Sequence, residues 1–351
     1  MADPAKILAQ QEGRKTSKNL PTGIKEVKGT RGESAYVFDM GSMYGALVQE
    51  GLGTKSLITQ SVYTETGKSY FAAIAQDTVA AVINDLISVG ATPVVTNAYW
   101  SSSSYKWMGN NDVTGDLIRG WREACDKAGV VWGGGETQSL KGIINSGALE
   151  LAGSAFGIIK PKTRLIKEEN IREGDQVLLL ESSGVHANGI SLIRQLAEQL
   201  KDGCQTKLAD GTLFGETILT PTHIYAHIID ELLSQGIEIH YLSNITGHGW
   251  RKIMRATPAF TYLLDKIPEV PEVFKFIAKH TNSSDYEMYG NFNMGAGYAV
   301  YLPAEDVPRA QLIAKKNGLK SWAAGLVKSG PKQVIIKPKN LVFTADSLNI
   351  R

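Results

Sequence analysis

Cysteine is nearly absent. Cys125 and Cys204 are the only two in 351 residues. They lie far apart and match no zinc spacing, which argues against a disulfide framework and for a reducing, cytoplasmic setting. An excess of one charge is missing too. The net charge is +2 and the positive residues form no long run, so no nucleic-acid partner is expected. No apolar run is clean enough to span a membrane. The most apolar stretch, 71–95, is interrupted by Gln76, Asp77, Asn84 and Asp85, so it reads as soluble core and no membrane partner is expected. Residues 1–30 carry Lys6, Arg14, Lys15, Lys18, Lys25 and Lys28 without the apolar core of a secretory leader. They read as a basic arm that is either disordered or docks on something.

Several catalytic signatures are also lacking. TGKS at 66–69 has the ending of a P-loop, but the glycine required five positions before Gly67 is Val62. There is no dinucleotide fingerprint, no Ser–His–Asp pattern and no HExxH.

What is present is an ordinary globular composition, 43% hydrophobic and 21% charged, at a length that predicts two domains. SAYVFDM (34–40), YGALVQ (44–49) and LITQSVY (57–63) read as strands. The stretch 71–90 reads as a helix, 94–100 as a strand, 112–129 as a helix, WGGGET (132–137) as a glycine turn and 149–160 as a strand. The chain turns polar and charged over 161–176, which places a boundary there and predicts domains over 31–165 and 166–351. Beyond it come a buried strand (177–182), a loop (182–189), a helix from Ile190, a helix over roughly 221–235, a glycine loop (243–249), a strand (292–303) and a helix (307–318). Strands and helices in both halves make this an α+β or α/β protein of two domains.

Four loops and one helix could carry chemistry. QEGLGTKS (49–56) places Glu50 before Gly51, Gly53, Thr54 and Lys55. It is either a phosphate-handling loop or a turn leaving a strand. On the helix at 71–90, positions 77, 81, 84 and 88 share a face and hold Asp, Ala, Asn and Ser, short groups that favour helices poorly. Buried carboxylates need partners or cations. Asp77 and Asp85 therefore either serve Mg²⁺ beside a nucleotide or cap neighbouring loops. Glu136 follows Gly134 and Gly135 in GGGET, where the backbone can approach a ligand closely; the alternative is a plain glycine turn. SSGVHANG (182–189), with His186 and Asn188, leads into a helix and offers either an anion site or simple N-capping. NITGHGW (244–250) has the same dual reading.

Taken in order, QDTVAAVINDLISVGATP, GGGET, LELAGSAFG, SSGVHANGISLIR, PTHIY, NITGHGW and EMYGNFNMGAG resemble the aminoimidazole ribonucleotide synthetases, or phosphoribosylformylglycinamidine cyclo-ligases. The likeness runs from about residue 45 to the end. It implies a homodimer whose N-terminal domains share a β-barrel, a C-terminal α/β domain, and ATP bound in a cleft between domains. It also implies an ATP- and Mg²⁺-dependent ring closure of formylglycinamidine ribonucleotide. The acidic metal and nucleotide positions of such enzymes fall on Glu50, Asp77, Asp85 and Glu136, with Asn84 beside them. Lys55 matches a phosphate-side lysine and His186 and Asn188 a loop near the substrate, so Lys55, Asp85 and His186 are the expected catalytic groups. This chain departs from the usual pattern at Glu50 (for Asp), Asn244 (for His), His248 (for Gly) and Gly290 (for Arg). It also has no counterpart of the early Tyr-Lys-x-Ala-Gly-Val-Asp and Gly-Gly-Phe-Gly segments.

Overall fold

The structure, a computed structural model, describes residues 4–348. The basic arm folds as helix α1 (Pro4–Lys15) and a 3-10 turn (Thr16–Asn19). A polar cluster ties it down: Ser17 Oγ donates to Glu26 at 2.5 Å, and Arg31 pairs with the same carboxylate at 2.8 Å.

The N-terminal sheet has six strands in the order β1-β2-β3-β6-β4-β5: β1 (Lys25–Glu26), β2 (Tyr36–Asp39), β3 (Tyr44–Gly51), β4 (Thr92–Ser102), β5 (Val131–Ser139) and β6 (Leu149–Ile159). Burial along β6 alternates without a break, Leu149, Leu151, Gly153, Ala155, Gly157 and Ile159 pointing inward. That period of two is what a sheet covered on one face requires. The inward face packs on α3 (Phe71–Ile87) and α5 (Asn111–Ala128), which follow α2 (Lys55–Thr66) and a short α4 (Tyr105–Met108). The other face stays open, leaving Leu47 48% exposed.

Two local expectations are corrected here. LITQSVY is not a strand but the body of α2. Its buried positions, 55, 56, 58, 59 and 62, fall on one helical face, and Gly67 stops it in the left-handed conformation (φ +71°). GGGET is not a turn but the middle of β5, parallel to β4, with a register shift between Thr96 and Asn97. The glycines permit that close approach: a Cβ on Gly135 would lie 2.0 Å from the Ala98 carbonyl oxygen.

The C-terminal sheet has seven strands in the order β13-β12-β9-β11-β7-β10-β8. They are β7 (Gln176–Glu181), β8 (Tyr241–Asn244), β9 (Phe260–Leu264), β10 (Ala296–Leu302), β11 (Ser321–Ser329), β12 (Gln333–Ile336) and β13 (Leu341–Thr344). Every residue of β10 is buried. Around them lie α6 (Ile190–Gln199), α7 (Phe214–Ile218), α8 (Ala226–Ser234), α9 (Glu272–Thr281), α10 (Asp285–Asn291) and α11 (Val307–Lys316).

The helix expected from 221 begins only at Ala226. Thr222 and Tyr225 give their backbone N–H groups to the side chains of Asp77 (2.8 Å) and Asn84 (3.0 Å) on α3, so the segment before α8 is irregular and locked to the first domain. Among the described residues no helix is long and apolar enough to cross a membrane.

Candidate active site

The short polar stripe of α3 is where the two domains meet. Asp77 Oδ1 accepts from the Thr222 N–H and, at 2.5 Å, from the Thr222 hydroxyl. Its other oxygen lies 2.6 Å from Lys55 Nζ, and both side chains are wholly buried. The ammonium approaches off the line of a good hydrogen bond, so that contact is chiefly Coulombic. Lys55 also donates to the His186 carbonyl at 2.7 Å, which fastens α2 to the 182–189 loop. Asn84 donates to the His223 carbonyl at 2.8 Å. Ser88 meets the Tyr298 hydroxyl at 2.6 Å. Each polar residue of the stripe is thus bonded to the second domain, while Asp77 Oδ2 pairs with Lys55 of the first.

His186 belongs to this network. It is 3% exposed and takes φ +58°. Its Nε2 accepts the Ser183 N–H at 3.2 Å. Burial, reinforced by His223 and Lys55, holds its pKa well below the usual histidine value, so the ring is neutral. The lone pair that a proton transfer would use is already engaged.

Glu50, Gly51, Asp85 and Asn188 sit elsewhere, on the walls of an open cleft of about 280 Å³ between the domains. Asp85 is held there by Asn244, whose Nδ2 donates to Oδ1 at 2.8 Å. The same cleft is lined by His248, Lys252 and Arg255. Arg255 is 8% exposed, donates to the Gly32 carbonyl at 3.0 Å and stands 3.5 Å from Glu33. The cleft lining therefore carries both carboxylates and cations, which suits a ligand bearing both phosphate and a cation. Four larger clefts, of about 560, 660, 370 and 340 Å³, hold none of the expected residues.

The four expected carboxylates do not assemble into one metal cluster within the chain. Among the described residues no group of three or more His, Cys, Asp or Glu is placed to hold a metal. Asp77 is enclosed by Lys55 and Thr222. Glu136 lies in the register row Gly51–Ala152–Tyr99–Glu136, three strand spacings across from the end of β3 that carries Glu50. That is roughly 14 Å at the usual strand spacing. Gly134 and Gly135 lie with it on the edge strand. Gly53 and Thr54 form the turn into α2, with Gly53 at φ +71°. Glu50 and Asp85 do share the cleft, and this fits Mg²⁺, which typically takes one or two carboxylates and completes its shell from phosphates and water.

Sequence reasoning missed Lys252 and Arg255. Both lie in the 3-10 segment Gly249–Met254 or directly after it. The available signal was RKIMR, which follows the NITGHGW loop without a break and returns to a basic residue at 255.

Two sheet domains meeting at a charged cleft define a two-domain α/β protein. Residues 32–159 match the family described as AIR synthase related protein, N-terminal domain, and residues 172–337 match its C-terminal domain. The chain belongs to the AIR synthase-related family. A phosphoribosylformylglycinamidine cyclo-ligase of Methanococcus maripaludis is 29% identical over 299 residues, covering 85% of this chain and 82% of the relative. One from Methanococcus vannielii is 28% identical over the same span. Among solved structures, HypE in the HypE–HypF complex aligns at TM-score 0.65 with 17% identity, covering 96% of this chain and 99% of that one. ThiL complexed with AMPPCP and TMP aligns at TM-score 0.60 with 13% identity, covering 94% and 93%. These structures share the fold.

Proposed function

We propose that the protein closes the imidazole ring of aminoimidazole ribonucleotide from formylglycinamidine ribonucleotide with consumption of ATP, working in the cytoplasm as a homodimer. The observation that carries this reading is the cleft that joins Glu50 and Asp85 to Lys252 and Arg255, in a chain resembling cyclo-ligases over most of its length. Glu50 and Asp85 would hold Mg²⁺, which when bound neutralises charge on the transferring phosphoryl group. The chain's own part is positional. Asn244 orients the Asp85 carboxylate, Asn188 and Gly247 border the substrate space, and the buried Lys55–Asp77–Thr222 network fixes the two domains in register. Holding acceptor and phosphoryl donor in one cleft is the main contribution expected in phosphoryl transfer.

Incubation of the purified protein with formylglycinamidine ribonucleotide, ATP and Mg²⁺ tests the reading. Aminoimidazole ribonucleotide should appear with one ADP per turnover. No product at high enzyme concentration overturns it. A second reading keeps the ATP chemistry and changes the acceptor. It is favoured by His248 and Lys252, which place an imidazole and a further cation in the cleft lining. ATP turnover stimulated by another amide or phosphate acceptor, with none from the purine precursor, would select it.

A further inference from the structure

His248 occupies the left-handed region at φ +81°, flanked by Gly247 and Gly249. Residues with side chains seldom adopt this conformation, and where they persist they cluster at functional sites. The surroundings hold it there. Gly249 packs so closely that a Cβ on it would lie 2.3 Å from the Tyr289 carbonyl oxygen. The His248 carbonyl accepts from Arg251 Nε at 3.1 Å.

The ring's tautomer follows from one contact. Nδ1 lies 2.7 Å from the Gly247 carbonyl oxygen. A carbonyl can only accept, so Nδ1 carries the proton and Nε2 carries the lone pair. The residue lines the same cleft as Glu50, Asp85 and Asn188. Partial burial, with Lys252 and Arg251 nearby, lowers its pKa from the usual value, although the bond to Gly247 works the other way. Arg255 adds positive charge to the same cleft, while Glu33, Glu50 and Asp85 line it with negative charge. At neutral pH the ring is therefore a free base with an available lone pair, unlike His186, whose Nε2 is taken by the Ser183 N–H.

We infer that His248 is the proton acceptor of the cleft during phosphoryl transfer, a role that rests on the ATP-dependent cyclisation proposed above. As the formamide oxygen forms its bond to the γ-phosphorus of ATP, the bond from that phosphorus to the bridging oxygen breaks and ADP leaves. The formamide N–H bond supplies its electron pair to the new C=N bond, and its proton passes to His248 Nε2. The amidine nitrogen then attacks that carbon, the C–O bond breaks with its electron pair going to the departing phosphate, and the second proton, lost as the ring becomes aromatic, leaves on that phosphate. The imidazolium returns its proton to solvent when the cleft empties.

Three measurements on the full chain test this. Replacement His248→Asn, which tolerates the left-handed backbone, should lower kcat about 10²-fold or more while changing the KM for ATP less than about threefold. It should also remove the acid limb of the wild-type pH–rate profile. His248→Gly should fall equally and regain activity when imidazole is added, which a merely structural role would not allow. A kcat for His248→Asn within about threefold of wild type, or a glycine variant that imidazole fails to rescue, overturns the proposal. The same comparison can be run on whichever acceptor stimulates turnover, so failure of the cyclisation reading is seen separately. If the wild type turns over nothing, ¹⁵N spectra of the histidine ring decide. An Nδ1–H tautomer titrating below 6.5 supports the assignment. An Nε2–H tautomer, or a pKa at or above 6.5, overturns it.

Discussion

Lys55 Nζ stands 2.6 Å from Asp77 Oδ2 with both side chains completely buried, the lysine entering from the first turn of α2 and the aspartate from the middle of α3. A buried pair of this kind is costly to break from one side, because the remaining charge has nowhere to go. Lys55→Met or Asp77→Asn should therefore each lower unfolding free energy by about 3–5 kcal/mol. The double variant Lys55→Met/Asp77→Asn should be less destabilised than the sum of the two. Urea denaturation of the four proteins measures the coupling. Additive losses would mean that the pair does not act as a unit.

Stability should also fall on mild acidification. His186 and His223 are both held below the usual histidine pKa, mainly by burial. Their folded forms resist protonation, whereas the unfolded chain takes up protons as the pH drops below about 6.5. The stabilisation is thus fully present above the unfolded value and is lost as pH falls toward the folded one. Each such histidine contributes a slope of up to about 1.4 kcal/mol per pH unit in that window. Denaturation midpoints at pH 7.5, 6.5 and 5.5 should decline in order, and His186→Gln should flatten the decline. A midpoint that is independent of pH would contradict the assignment.

Much of the architecture could be read before any coordinates. The alternation of β6 and the apolar helix at 71–90 follow from side-chain period alone. Other elements could not be read, for identifiable reasons. The β-branched residues of LITQSVY favour a strand, yet their burial repeats at the helical interval once α3 is beside them. GGGET looked like a turn because its glycines serve a close strand contact visible only with β4 in place. The start of α8 is set by Asp77, which accepts the Thr222 N–H from 145 residues away. The same long-range bonding explains the site. Sequence identified the stripe Asp77, Asn84 and Ser88 as unusual but left its role open between metal binding and capping. The structure uses it to bind the 221–225 segment and β10, and leaves Glu50 and Asp85 on the cleft.

If those two carboxylates serve the metal, their replacement should alter metal dependence before stability. Asp85→Asn keeps the shape and can still bond Asn244, but it removes the charge. ATP turnover should fall about 10²-fold or more, with the denaturation midpoint little changed. Glu50→Asp shortens the side chain by one methylene, over an ångström. Because Mg²⁺ demands a near-ideal octahedron, the Mg²⁺ concentration for half-maximal rate should shift several-fold. Unchanged Mg²⁺ titrations in both variants would remove Glu50 and Asp85 from the metal's shell.

The open face of the N-terminal sheet bears on assembly. Leu47, Phe156 and Tyr36 share one register row across β3, β6 and β2, and burial of Ala46 and Val48 turns Leu47 outward. Leu47 is 48% exposed, Val94 39% and Met40 40%, while Val131, on the unpaired edge strand β5, is 65% exposed. An apolar sheet face together with a free edge is a surface that proteins usually cover. A second copy supplying the same face covers both, in keeping with the homodimer proposed above. It would also give Glu136 a cleft to approach other than its own, from which two intervening strands, β6 and β4, separate it. Sedimentation at micromolar concentration should therefore show a dimer. Leu47→Arg, a change on an exposed position that leaves the core untouched, should shift it to monomer with the fold retained by circular dichroism. If the wild type sediments as a monomer across the accessible concentration range, the open face serves some other contact and Glu136 has no part in the site.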